Sequence, residues 1–118
     1  MNLVSESMSE KRFARIITIK ARPGKGDAFV RRFKDGVAST AVDLKGMRRL
    51  YLMRPVGKKD EFVVVSLWDD QKAAEDYAKS GSNKGYADRL ASVQEGRERV
   101  RKFHVELHVV GNSVGEKD

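Results

Sequence analysis

The sequence predicts a single α+β domain built as one antiparallel sheet with helices on one of its faces. Three observations carry that expectation. A chain of 118 residues is long enough for one hydrophobic core but not for two. Four stretches rich in β-branched and aromatic residues are bounded by turn signals. Two stretches with apolar residues at helical spacing separate them in the order β-α-β-β-α-β, the ferredoxin-like split βαβ arrangement. Two helices cover one face of such a sheet.

Each element has its own signature. Residues 1–11 read as a loose leader and GNSVGEKD (111–118) as a frayed tail, leaving 12–110 as the domain. RFARIITIKA (12–21) is a strand closed by the turn signal Arg22-Pro23-Gly24. Phe29, Phe33, Val37, Ala41 and Leu44 then form the apolar stripe of a helix, with Asp27 near its positive end and Gly46 closing it. GMRRLYLMRPV is a second strand, and VGKKDE (56–61) turns the chain into EFVVVSLW, the third. Asp69 or Asp70 caps a second helix with Ala73, Ala74, Tyr77 and Ala78 inward, ending near Ser80-Gly81. A further helical piece over about 83–93 carries Tyr86, Leu90 and Val93. RKFHVELHVV closes the domain as the last strand, alternating Phe103, Val105, Leu107 and Val109 with His104, Glu106 and His108.

Composition narrows the function. Hydrophobic residues are 40% and charged residues 35%, a globular profile, and there is no cysteine. Disulfides, thiolate metal sites and Cys nucleophiles are therefore excluded. The polar start MNLVSESMSEKR holds no secretory core and no membrane span follows, so a cytoplasmic protein is expected. A net charge of +7 attracts anions, but 17 acidic residues lie among 24 basic ones, the pattern of a solvated surface.

The third strand is apolar on both sides. Phe62, Val64 and Trp68 share one face, with Ser66 as its polar exception, and Val63, Val65 and Leu67 share the other. The first strand repeats this, with Ile17 and Ile19 on one side and Ala14 and Ile16 on the other. Helices shield only one face, and each aliphatic side chain left in water forgoes about 1.5–3 kcal/mol. A second copy laid sheet to sheet is the economical cover, so a homodimer is expected.

KARPGKGDAFVRRF, YLMRPV and EFVVVSLWDDQKAAEDYAKS together resemble the antibiotic-biosynthesis monooxygenase superfamily, the dimeric α+β barrels. The nearest likeness is to the bacterial haem-degrading monooxygenases, over residues 12–111. The resemblance implies a dimer, one pocket per subunit between helices and sheet, and O2-dependent oxidation of an aromatic or porphyrin ligand, with haem as the implied cofactor. The haem-degrading relatives use an Asn on the first strand, a Trp on the second helix and a His on iron. Ile17, Tyr77 and Tyr86 stand at those positions here. Tyr86 keeps an oxygen that can ligate haem iron, and Tyr77 keeps an aromatic ring.

Tyr77 and Tyr86 are thus the candidate catalytic residues, two phenols able to orient a ring or donate a proton. Both also fit a plainer account, core rings with the hydroxyl at the rim. Ile17, Phe33 and Trp68 are candidate ligand contacts, Trp68 equally a packing residue at a strand end. Arg15 is able to pair with a ligand carboxylate; its plainer place is the exposed start of the strand. His104, Glu106 and His108 chelate a metal only if another strand completes the site, and otherwise form a polar strand face.

Three further readings follow. One is a cofactor-independent oxygenase of an aromatic or quinone-type small molecule, in which the substrate itself reacts with O2. Another is a non-catalytic ligand-binding dimer. The same strand order also builds the RNA-recognition motif, but that module needs stacking aromatics and glycines where EFVVVSLW has valines, which argues against nucleic acid.

Overall fold

The computed structural model describes residues 2–3, 11–40 and 44–111. The expected inward Ala41, most of the leader and the tail beyond 111 lie outside these residues. The elements are β1 (Asn2–Leu3), β2 (Phe13–Ala21), α1 (Gly26–Thr40), β3 (Met47–Met53), β4 (Glu61–Trp68), α2 (Gln71–Ala78), α3 (Gly81–Leu90), β5 (Gln94–His104) and β6 (Val109–Val110). The main sheet runs β3-β4-β2-β5, every neighbouring pair antiparallel. This is the expected ferredoxin-like order, with the second helical region divided into two helices. β1 and β6 form a separate two-stranded ladder, Asn2 opposite Val110 and Leu3 opposite Val109. No helix among the described residues is long and apolar enough to cross a membrane.

Strand alternation sorts the core. On β4, Phe62, Val64, Ser66 and Trp68 are buried, while Val63, Val65 and Leu67 on the opposite face are only half-buried. β2 follows suit, with Phe13, Arg15, Ile19 and Ala21 buried on the helix side. Two apolar clusters form there. One gathers Ile19, Phe29, Phe33, Phe62, Val64, Leu90 and Val93; the other centres on Phe13, Trp68 and Ala74. Phe29 stacks on Phe62 with ring centroids 4.6 Å apart, fixing α1 to the sheet.

Helix ends are set as the sequence requires. Asp70 is the N-cap of α2, its carboxylate accepting from the Ala73 N–H at 2.8 Å, and Ser80 caps α3. The start of α1 is held by Asp60, which accepts from the N–H groups of Gly24 and Gly26 at 3.1 and 2.9 Å. Asp27 in its first turn pairs with Arg54 at 2.8 Å.

The last strand is where expectation and structure part. It spans Gln94–His104 and not 101–110, and the third helical piece ends at Leu90. QEGRERV hides its extended conformation because β5 is an edge strand whose residues are largely exposed, so no apolar alternation marks it. Gly96, at φ 69°, lies where the β2–β5 register shifts. His104, Glu106 and His108 consequently do not share a strand. His104 packs edge-on against Phe13 at 5.6 Å, Glu106 pairs with Lys11 at 2.6 Å, and His108 Nδ1 lies 3.2 Å from Arg12 Nη1. Among the described residues no group of three His, Cys, Asp or Glu side chains is placed to hold a metal.

Gly46 lies in the turn before β3, not at the end of α1, with φ 84°, and a Cβ there would meet Ala73 Cβ at 2.6 Å. Left-handed strain and the clash with α2 act together. Gly46→Ala should therefore lower stability by about 1–3 kcal/mol in urea unfolding.

Candidate functional site

Between the two core clusters the helix side of the sheet is not filled. A cavity of about 130 Å³ remains there. Its floor is the central strand pair, with Arg15, Ile17 and Ile19 from β2 and Val64, Ser66 and Trp68 from β4. Phe33 and Val37 of α1 form one wall; Tyr77 of α2 and Asn83, Tyr86 and Leu90 of α3 form the other. Leu44, Met47 and Leu50 close the β3 end, while Gln94 and Glu98 line the β5 side. Ala87 and Glu98 are the exposed lining residues, so the cavity opens between α3 and β5.

The six residues expected at a ligand site all line this space: Arg15, Ile17, Phe33, Trp68, Tyr77 and Tyr86. Arg15 departs from its plainer reading. It is only 9% exposed, and its Nε is buried without a hydrogen-bond partner. Burial pushes its pKa down, while Tyr77 and then Glu98 push it back up. An arginine remains charged under these opposing influences.

The aromatic residues are each fixed from behind. Trp68, 1% exposed, donates from Nε1 to Ser66 Oγ at 2.9 Å. Tyr77 lies over Trp68, ring centroids 5.4 Å apart and tilted by 32°. Tyr86 meets Phe33 edge-on at 5.1 Å and donates from its hydroxyl to the Phe33 carbonyl at 3.2 Å. Gly36 makes room for it, since a Cβ there would meet the Tyr86 ring at 3.3 Å. Desolvation raises the pKa of both phenols, strongly for Tyr86, and for Tyr77 the Arg15 charge opposes the rise. Both tyrosines are therefore neutral donors at neutral pH.

Other lining residues escaped the sequence reading. Ser66 carried a signal, as the one polar residue on the buried face of β4. Gln94 and Glu98 carried none, because the segment that holds them did not read as a strand. Gln94 Nε2 donates to a Glu98 carboxylate oxygen at 3.0 Å, which holds the side chain at the mouth.

The site is thus an apolar cavity between helices and an antiparallel sheet, with a few convergent polar groups, the usual setting of small-molecule sites in proteins. A family model described as antibiotic biosynthesis monooxygenase matches residues 12–89, and the chain belongs to that family. Among curated proteins none matches the chain. Solved structures share its fold. A candidate antibiotic biosynthesis monooxygenase from Caulobacter crescentus superposes with TM-score 0.73 at 17% identity, covering 81% of this chain and 91% of that one. A mutant of SnoaB, a cofactor-independent oxygenase from Streptomyces nogalater, gives TM-score 0.70 at 17% identity over 90% and 99% of the two chains. A conserved protein from Methanosarcina mazei gives 0.71 at 11% identity over 81% and 94%. At these identities the likeness concerns the fold.

The tyrosines set an alkaline limit on stability. Their folded-state pKa values lie above the unfolded value of about 10, so above that pH the folded chain keeps protons that the unfolded chain releases. The stabilising contribution is complete below pH ~10 and is lost as pH rises further. Phenolate absorbance of the native protein should lag that of the urea-unfolded chain, and the double replacement Tyr77→Phe, Tyr86→Phe should remove most of the lag.

Proposed function

We propose that this protein is a cofactor-independent oxygenase of a small aromatic or quinol-type molecule, bound in the cavity between sheet and helices. The observation that supports this reading is the cavity itself. Its volume of about 130 Å³ is close to the ~150 Å³ of an apolar cavity that takes up benzene. One ring fits inside, and a second would occupy the mouth between α3 and β5. In such a reaction the electron-rich substrate itself reduces O2. The protein orients the ring, excludes water and moves a proton. Trp68, Phe33 and Ile17 supply the apolar walls. Tyr77, whose phenol burial keeps neutral against the opposing charge of Arg15, is the proton donor. The Tyr86 hydroxyl is committed to the Phe33 carbonyl, so Tyr86 positions the wall facing the ring.

Haem, the cofactor implied by the resemblance to haem-degrading enzymes, does not fit these residues. Tyr86 stands at the iron-ligand position, but its hydroxyl donates to a carbonyl and burial opposes the tyrosinate form that binds iron. Ile17 brings no donor to the porphyrin. No step is therefore assigned to haem.

Oxygen uptake tests the reading. With a panel of hydroquinones and hydroxynaphthalenes, the protein should consume O2 without added metal, flavin or haem. Tyr77→Phe should lower kcat by about 100-fold or more, the usual range for a lost general acid. Saturable binding without uptake would instead make the chain a ligand-binding protein. Added haem taken up one per chain, with a tyrosinate spectrum abolished by Tyr86→Phe, would replace this reading with the haem one.

We further infer that two copies pack through the open sheet face. Ile16 and Tyr51 flank Val65 in register on that face, with Val63, Leu67 and Ala14 beside them, and Tyr51 and Met53 are each 44% exposed. Apart from Ala14 these residues are half-buried or exposed, and their burial favours association at about 25 cal/mol per Å². Light scattering should give twice the chain mass, and Val65→Asp should dissociate the pair. A stable monomer for the unmodified protein would end the argument.

A further inference from the structure

We propose that Arg15 is an anion site inside the cavity, so that the protein binds its ring compound as a phenolate or enolate whose charged oxygen accepts from the guanidinium. This deepens the oxygenase reading and rests on it for the kind of ring, though the anion site itself is read from Arg15 alone. The argument starts from an imbalance. Arg15 sits on the central strand at 9% exposure, and its Nε faces no acceptor. A buried cation is normally paired, because removal from water is otherwise uncompensated. Opposite it in register stand Ser66 on β4, whose hydroxyl oxygen accepts from Trp68 Nε1, and Lys102 on β5.

The charged and titratable groups around Arg15 leave the role open for a ligand. From α2 comes the Tyr77 phenol and from α3 the Tyr86 phenol, both neutral at neutral pH. From β5 come Lys102, a second cation, and Glu98, the one carboxylate lining the cavity among the described residues. Glu98 is exposed at the mouth and accepts from Gln94, so solvent weakens its field. It helps keep Arg15 charged without occupying Nε. The cavity therefore presents a desolvated positive charge beside apolar ring walls, and a flat molecule with one ionised oxygen complements both.

The same charge explains a chemical preference. A ring reacts with O2 far more readily as its anion than as its neutral phenol. An arginine that favours the anion shifts the proton of the bound phenol to solvent and leaves electron density on the ring.

The probe is 4-nitrophenol, which ionises near neutrality and absorbs at longer wavelength as the phenolate. Titrated into the protein without O2, at the pH where the free probe is half ionised, it should bind saturably. Its phenolate band should grow, reporting at least tenfold tighter binding of the anion than of the neutral form. Arg15→Met should abolish that growth, and Arg15→Lys should keep part of it. Because Arg15→Met could fail to fold, the unmodified protein is also compared with 4-nitroaniline, a neutral ring of similar shape. At high phenolate fraction it should prefer the phenolate by tenfold or more. Equal affinity for the two probes, no saturable phenolate binding, or an unchanged band in folded Arg15→Met would each overturn the anion site. The oxygenase reading is judged separately by O2 uptake, so either can fail alone.

Discussion

The pairing of β2 with β4 is the constraint on which the rest of the molecule depends. In that register Phe13 faces Trp68, Arg15 faces Ser66 and Ile17 faces Val64, all on the helix side. A slip of one residue would exchange the two faces completely. A slip of β4, for example, would carry Ser66 and Trp68 to the open face, away from Arg15, and turn Val63, Val65 and Leu67 under the helices. The large rings at both ends oppose such a slip. Phe62 is locked under Phe29 at one end, and Trp68 is tied to Ser66 and Tyr77 at the other.

The cavity follows from the spacing of those rings. Phe29, Phe33 and Phe62 build one cluster beneath the start of α1, while Phe13, Trp68 and Ala74 build another beneath α2. Ala74 is the only fully buried residue of α2, so this short helix brings little bulk to the middle. α3 approaches with Tyr86 and stops against Phe33 and Gly36. What is left between the clusters is a space whose walls are aromatic and whose floor carries the guanidinium. Its surroundings suit it to the proposed ligand, since the Trp68, Tyr77 and Tyr86 rings are each held by a neighbouring group.

The two faces of the sheet thus have different tasks from the same strands. The helix side encloses a ligand-sized space. The other side stays apolar along β4 and becomes basic toward β5, where Arg101 lies over the Phe103 ring at 4.9 Å. An apolar centre with a charged border is what the proposed pairing of two copies would cover.

Much of this was legible in the residues themselves. Element order, the two-faced third strand, the Asp70 cap and the inward faces of Tyr77 and Tyr86 all follow from local periodicity, because side-chain direction is fixed by backbone geometry. The six residues that the family resemblance and the strand and helix faces together pointed to all line one cavity. Tertiary structure alone decided the rest. The β5 strand was hidden in QEGRERV because an edge strand exposed to solvent needs no apolar pattern, and with it went Gln94 and Glu98. The fate of Arg15 was hidden for the opposite reason. A strand-borne arginine reads as exposed until the helices that desolvate it are in place, and no local rule counts the hydrogen bonds it fails to make. The path of 105–108, which takes Glu106 and His108 away from His104 to lie beside Lys11 and Arg12, was likewise visible only in the tertiary structure. Short-range rules determined which way each side chain points, and only long-range packing determined how much water was left around it.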